Sequence, residues 1–306
     1  MADRFVVGTR GSSLALAQTK LVLEKLGAVG KGVEFDVVPI KTAGDLYAPS
    51  ATGVDGKTAF TGEIERQLIE GHIDVAVHSM KDLPAKLDDR LVVAATPERG
   101  DPRDALVSRS GLTLSELKKG GRVGTSSARR KAQLLATRRD LDVVELHGNV
   151  ETRLLKIERE GLDGVVLAAA GLDRLGLGPR ITQLFATEEM VPAPCQGILA
   201  VQARRDSREM CDLLGKIDHR HTRTASDCER AFSEALGGDC FIPLGAYASQ
   251  GPGGLTATGL LADADGSTMV KSSAVGDTGD ARGLGRKLAA KVIESGGREI
   301  LERIRR

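Results

Sequence analysis

Two stretches rich in small hydroxylated residues each lead from a β-type run into a helical one, and both carry arginines. In Gly8-Thr9-Arg10-Gly11-Ser12-Ser13 the arginine lies within the loop, whereas after Gly124-Thr125-Ser126-Ser127 the pair Arg129-Arg130 occupies the first helical turn. Basic residues at a helix start oppose its dipole, so they are poorly placed for stability and well placed to bind a ligand. Backbone N–H groups at such a start, with hydroxyls beside them, make an anion site, and a planar guanidinium grips a carboxylate or phosphate through paired hydrogen bonds. The plainer alternative is that Ser12 and Ser126 cap their helices while the arginines are solvated. Arg153 adds to the count, because Asn149 is suited to cap a helix whose first turns hold Thr152 and Arg153. Neither a Walker sequence nor a G-x-G-x-x-G fingerprint accompanies these groups, which favours carboxylates over nucleotide phosphates as ligands.

A third polar stretch, His78-Ser79-Met80-Lys81-Asp82-Leu83-Pro84, follows the apolar run Asp74–Val77. It falls at a strand C-terminus, where α/β sheets keep their ligand crevices. A lysine beside an aspartate binds an acid group and manages a proton; the bland reading is a surface lysine and a turn-capping aspartate. Of the four cysteines, Cys211 and Cys228 fall in helical runs and read as packing residues, while Cys195 and Cys240 lie in Gly/Pro loops. Two glycines precede Cys240 and leave room for a bulky adduct on its thiol. No C-x-x-C spacing occurs, and His219 and His221 sit two apart among arginines that repel a cation, so no metal is expected.

The elements that must position these groups alternate as an α/β pattern. Strand Arg4–Gly8, helix Ser12–Leu26, strand Val33–Lys41, helix Gly62–Glu70, strand Ile73–Val77 and strand Leu91–Thr96 lead to a charged turn at 97–102. A second series follows: strand Arg122–Gly124, helix Ser127–Arg138, strand Val143–Leu146, helix Val150–Arg159 and strand Gly164–Ala168. It partly echoes the first in its hydroxyl loop and in the join Gly161-Leu162-Asp163-Gly164, which parallels Gly71-His72-Ile73-Asp74. Two similar lobes facing a cleft is the simple inference, set against the fact that short strand–loop–helix joins look alike in any α/β protein. Segment 191–197 reads as a second crossing, before strand Ile198–Ala203 and helix Ser207–Lys216. From about Arg220 the order changes to helix Thr222–Leu236, β-rich runs at 245–249, 255–261 and 268–273, and a closing helix around Ala281–Ser295, which is a separate α+β unit.

Composition bounds the partners. A chain of 306 residues exceeds one growing core. Apolar residues at 41% and charged ones at 28% describe an ordinary globular protein. With aromatics at 3% and a net charge of +1, neither base-stacking platforms nor a global field for phosphates exists, and nucleic acid is not an expected partner. No apolar run approaches the roughly 18 residues of a membrane span and no secretory signal is visible, so no membrane contact and a cytoplasmic location are expected, with reduced thiols.

Taken in order and spacing, several motifs resemble the porphobilinogen deaminase family along nearly the whole chain. They are Gly-Thr-Arg-Gly-Ser-Ser-Leu-Ala-Leu-Ala-Gln from Gly8, Asp-Val-Ala-Val-His-Ser-Met-Lys-Asp-Leu-Pro from Asp74, Arg-Gly-Asp-Pro-Arg-Asp-Ala from Arg99, Val-Gly-Thr-Ser-Ser-Ala-Arg-Arg from Val123, Gly-Asn-Val-Glu-Thr-Arg-Leu from Gly148, Leu-Ala-Ala-Ala-Gly-Leu-Asp-Arg-Leu-Gly from Leu167 and Gly-Gly-Asp-Cys-Phe-Ile-Pro-Leu-Gly from Gly237. The resemblance implies two lobes built like type II periplasmic binding proteins around a cleft plus a smaller C-terminal α+β domain, with domain 1 at 1–98 and 197–217, domain 2 at 102–191 and domain 3 at 220–306. It implies a monomeric transferase of tetrapyrrole (haem) biosynthesis that adds four porphobilinogens head to tail on a dipyrromethane cofactor, held by a thioether to Cys240. Each addition loses ammonia, and linear hydroxymethylbilane is released.

Residue by residue, the resemblance makes Asp82 the catalytic carboxylate. It steers protons and stabilises the cationic azafulvene left when ammonia departs. Lys81, Asp82, Thr125, Ser126, Ser127, Arg129, Arg130, His147, Gly148 and Arg153 would hold the cofactor, and Arg10, Ser12, Phe60 and Gln196 the incoming ring or the hinge. Two departures stand out. His147 replaces the family's arginine before Gly148, which weakens one carboxylate contact and adds acid sensitivity. The flexible lid at 56–63 lacks one lysine, with Gly62 in its place. The competing readings are a non-catalytic carboxylate-binding module on the same fold, and a metal- or nucleotide-dependent transferase, which the missing motifs disfavour.

Overall fold

Strands and helices intermingle in a computed structural model, which describes residues 3–30, 32–43, 58–238 and 242–304. The first stretch gives β1 (Asp3–Arg10), α1 (Ser13–Val29), β2 (Val33–Ile40), α2 (Thr58–Ile69), β3 (Val75–Ser79) and β4 (Leu91–Ala95). Next come β5 (Asp104–Ser108), β6 (Arg122–Gly124), α3 (Ala128–Thr137), β7 (Asp142–Val144), α4 (Val150–Arg159), β8 (Gly164–Ala168), α5 (Ala169–Arg174) and β9 (Gln183–Leu184). The remainder holds β10 (Leu199–Arg204), α6 (Arg208–Gly215), α7 (Arg220–Ala235), β11 (Leu244–Gly251), β12 (Gly254–Ala262), β13 (Met269–Gly276), α8 (Ala281–Val292) and α9 (Arg298–Ile304). These fall into two compact units, Met1–Gly100 with Ile198–Arg223, and Asp101–Gly197 with Thr224–Arg306.

In the first unit the sheet order is β2-β1-β3-β10-β4; β1 runs parallel to β2 and β3, and β10 is antiparallel to β3 and β4. The second unit's main sheet repeats this plan as β7-β6-β8-β5-β9, with β6 parallel to β7 and β8, and β5 antiparallel to β8 and β9. The repeat extends to single atoms. Asp74 accepts the Val6 N–H at 2.9 Å while its own N–H donates to Val6 O, and Asp163 does the same with Arg122 at 2.8 Å. Gly8 of β1 and Gly124 of β6 each face two branched side chains: a Cβ on Gly8 would meet Ile73 at 2.4 Å and Ile40 at 2.9 Å, and one on Gly124 would meet Leu146 at 2.8 Å and Leu162 at 3.0 Å. Central strands β3 and β8 are buried on both faces, as strands covered on two sides by helices must be.

The C-terminal stretch of the second unit is an antiparallel β11-β12-β13 sheet backed by α7 and α8 around Phe232. It is fixed to α3 at backbone level. Arg139 donates to the Asp265 and Gly266 carbonyls at 3.3 Å each, and Gly266, at φ +67, lies so close that a Cβ would stand 2.1 Å from Ala132 O.

Several expectations need correction. α2 already includes Thr58–Thr61, ahead of Gly62: the glycine is absorbed because Arg66 pairs with both Glu63 and Glu70 along the helix surface. Strands β5 and β9 and helix α5 were not foreseen. The closing helix ends at Val292, where a turn with Gly296 at φ +108 redirects the chain into α9.

Candidate active site

Arg10 ends β1, and Asp82 ends a 3₁₀ turn, Met80–Asp82, that follows directly on β3; the two strands are parallel neighbours, so both groups emerge at one edge of the sheet. Pro84 and the extended Leu83 stop the turn. Arg10, Ser12, Gln18, Phe60, His78, Ser79 and Asp82 line a cavity of about 60 Å³, room for a few waters or an acid group. The Arg10 guanidinium stacks over the Phe60 ring at 4.5 Å. Ser12 Oγ accepts the Ala15 N–H at 3.3 Å as the cap of α1, whose first turn holds no acidic residue. Gln18 donates to Ser79 Oγ at 2.8 Å and so ties α1 to the end of β3. Lys81 is half-buried in the same 3₁₀ turn and is not among the lining residues.

The second unit gathers its groups at the same ends of its own sheet. Ser127, not Ser126, caps α3 by accepting the Arg130 N–H at 3.4 Å; Thr125 Oγ1 accepts the Ser127 N–H at 3.2 Å, and Ser126 is left exposed. Beyond β7, Asn149 Oδ1 caps α4 through the Thr152 N–H at 2.8 Å, and Arg153 Nε donates to Gly148 O at 2.7 Å. Gly148 has φ +116, and a Cβ there would meet Thr152 at 2.8 Å. His147 Nε2 lies 3.0 Å from Glu145 on the surface.

Arg129 and Arg130 are not presented to solvent. They are 4% and 5% exposed and close on Asp104, which is fully buried at the start of β5. Asp104 Oδ2 accepts from Arg129 Nη1 at 2.7 Å, and Oδ1 accepts from Arg130 Nε at 2.8 Å and from Gln196 Nε2 at 2.9 Å. Further bonds run from Arg129 to Val191 O at 2.8 Å and from Arg130 to Val166 O at 3.0 Å, while Arg129 Nε has no partner among the described residues. Burial alone would raise the Asp104 pKa; the two guanidinium groups outweigh it and hold the carboxyl well below its usual range. Gln196 is likewise inside this cluster, donating to Pro102 O at 2.8 Å, rather than on an open surface.

The cysteines divide by burial. Cys228 is buried and its thiol is pushed up to about 12 by burial and the neighbouring Glu229 and Asp227 charges. Cys195 is also buried, at φ +63, with its N–H donated to Glu229 at 2.5 Å. Cys240 and the part of the lid before Thr58 lie outside the described residues. Two residues in these sites escaped the sequence reading. Asp104 shows only as one acid in a charged stretch, and its partners stand 25 positions away or more. Gln18 carries a findable signal, being a polar residue on the face that α1 otherwise buries with Ala15, Val22 and Leu26.

Two repeated α/β units, each with cationic and hydroxyl groups at the ends of its central parallel strands, and a trailing antiparallel sheet define the class: a mixed α/β protein. Two family models match, "Porphobilinogen deaminase, dipyromethane cofactor binding domain" over residues 5–212 and "Porphobilinogen deaminase, C-terminal domain" over 224–294. Among similar proteins, the porphobilinogen deaminase of Pelotomaculum thermopropionicum is 45% identical over 306 residues, covering 100% of this chain and 98% of its own. That of Alkaliphilus metalliredigens is 42% identical over 97% of this chain and 95% of its own, and that of a Roseiflexus species 43% over 98% and 99%. The chain belongs to the porphobilinogen deaminase family.

Proposed function

We propose that the chain is a transferase that condenses four porphobilinogen molecules head to tail on a dipyrromethane cofactor and releases ammonia and linear hydroxymethylbilane for tetrapyrrole synthesis. The observation that carries this reading is the meeting of Arg10, Ser12, Phe60 and Asp82 around one cavity in a chain of this family. It is read as a cytoplasmic monomer; among the described residues no helix is long and apolar enough to cross a membrane.

The residues suit a cofactor that bears several acid groups. The first turns of α1 and α3 hold no acidic residue, and two buried arginines share one carboxylate, leaving excess positive charge beneath the Thr125–Ser127 loop. In the second unit we assign Thr125, Ser126, Ser127, His147, Gly148 and Arg153 to cofactor acid groups. Arg129 and Arg130 act there through their charge, and Cys240 carries the thioether. In the first unit Lys81 is assigned to the cofactor likewise. When bound, the cofactor supplies the nucleophilic pyrrole carbon to which the first substrate is joined.

The first unit then handles the substrate. Arg10 and Ser12 take an acid group of the incoming porphobilinogen, with Phe60 holding the guanidinium in place. Asp82 accepts pyrrole N–H hydrogen bonds. As the substrate's C–N bond breaks and ammonia leaves with the electron pair, the methylene carbon becomes cationic, and the Asp82 carboxylate stabilises it until the new C–C bond forms. Asp82 also conveys the proton that the attacked ring carbon gives up. Gln196 acts at one remove, by holding the 191–197 segment on Asp104.

Intact-protein mass spectrometry tests this: the purified chain should carry two pyrrole units on Cys240 and should free ammonia from porphobilinogen. A bare chain that frees none overturns the reading and returns the carboxylate-binding module. Asp82→Asn should keep the fold and lose on the order of a hundredfold or more in turnover.

A further inference from the structure

On the first unit's sheet Ala200 stands opposite His78 and Gln202 opposite Ala76, so His78 and Gln202 are diagonal neighbours on one face, within reach of each other's side chains. Both are interior, His78 at 5% exposed and Gln202 fully buried. Gln202 Nε2 donates to Glu65 Oε1 of α2 at 2.9 Å. Because a carboxylate only accepts, this bond fixes the amide's orientation and leaves Oε1 as the end for another partner. Among the described residues neither that oxygen nor His78 Nε2, both buried, has a hydrogen-bond partner. One is an acceptor and the other a nitrogen able to donate, and a small rotation of the imidazole joins them, which removes two buried polar orphans at once.

His78 also lines the cavity that holds Arg10, Ser12, Phe60 and Asp82. Burial pushes its pKa down to about 4; Gln202 raises it in part and the Arg10 charge lowers it further, so the ring is neutral when the enzyme works. A neutral imidazole that gives its Nε2–H to Gln202 has Nδ1 as an acceptor. Among the described residues Asp82 is the sole carboxylate on the cavity wall. A second, uncharged acceptor orients a ligand there without competing for the proton that Asp82 conveys.

We propose that His78 is a substrate-positioning residue: the Gln202–Glu65 pair fixes its Nε2–H tautomer, and Nδ1 accepts a hydrogen bond from an N–H of the incoming aminomethylpyrrole. The proposal rests on the function given above. Two replacements separate the ring nitrogens, because asparagine places a side-chain oxygen near the Nδ1 position and glutamine places its amide near Nε2. In the holoenzyme, KM for porphobilinogen should be about tenfold higher for His78→Gln than for His78→Asn, the factor one neutral hydrogen bond commands, with kcat separated less. Nitrogen-15 spectra of histidine-labelled holoenzyme should show His78 protonated at Nε2, and Gln202→Met should yield mixed tautomers. Equal KM values in the two variants, or a wild-type ring protonated at Nδ1, overturn the proposal. Wild-type protein that does not consume porphobilinogen defeats the functional reading instead, and the nitrogen-15 spectrum still decides the tautomer.

Discussion

Asp104 shows what a single buried carboxylate does when two guanidinium groups close on it. Replacing it with asparagine removes the charge but not the volume, leaving Arg129 and Arg130 facing each other in the interior. Asp104→Asn should therefore cost about 3–5 kcal/mol, read as a lowered urea midpoint. The sequence shows Arg129 and Arg130 clearly and correctly places them at a helix start. It gives no sign of their burial, because the acid that neutralises them follows Pro102 in a stretch with every mark of a turn. Burial pushes the His78 pKa below that of an exposed histidine. Its folded pKa of about 4 lies below the ordinary 6.5, so its contribution to stability is complete above pH 6.5 and is lost as pH falls toward 4. Between pH 7 and 5 this amounts to about 2 kcal/mol. Urea denaturation should show that loss in the wild type and a flatter response in His78→Gln.

Among the elements, two helical glycines with opposite surroundings make a controlled comparison. Gly27 in α1 has nothing within 4 Å of where a Cβ would stand, so Gly27→Ala should stabilise by about 0.5–1 kcal/mol through helix propensity. Gly285 in α8 lies against α7, its virtual Cβ 2.2 Å from Cys228 O and 3.0 Å from Ala231 Cβ. There the same change should destabilise by about 1–3 kcal/mol or more despite the better propensity, and thermal unfolding of the two variants should move in opposite directions. The duplicated plan was legible because its markers are local: a glycine on the first parallel strand of each sheet, and an aspartate that clips one strand to the next. Gly8 with Asp74 and Gly124 with Asp163 stand in the chain as they stand in the sheets. Strand β5 was not legible. It opens on a charged residue and its pairing to β8 spans some sixty positions, which no local pattern records.

For the whole molecule, the order in which strands enter the sheets differs between the units. β10 lies between β3 and β4, so the first sheet lacks the strand that joins these two until residues 199–204 exist. All strands of the second unit's main sheet lie within 104–184. A growing chain thus leaves the ribosome with its N-terminal half unfinished while the later segment is already able to close, the reverse of the usual vectorial order. Pulse-labelled hydrogen exchange during refolding should accordingly protect amides of β5 and β8 before those of β3 and β4. Until β10 arrives, β3 and β4 each expose a buried-type edge with open N–H and C=O groups, so the nascent enzyme is a natural client for chaperones that shield unpaired strands.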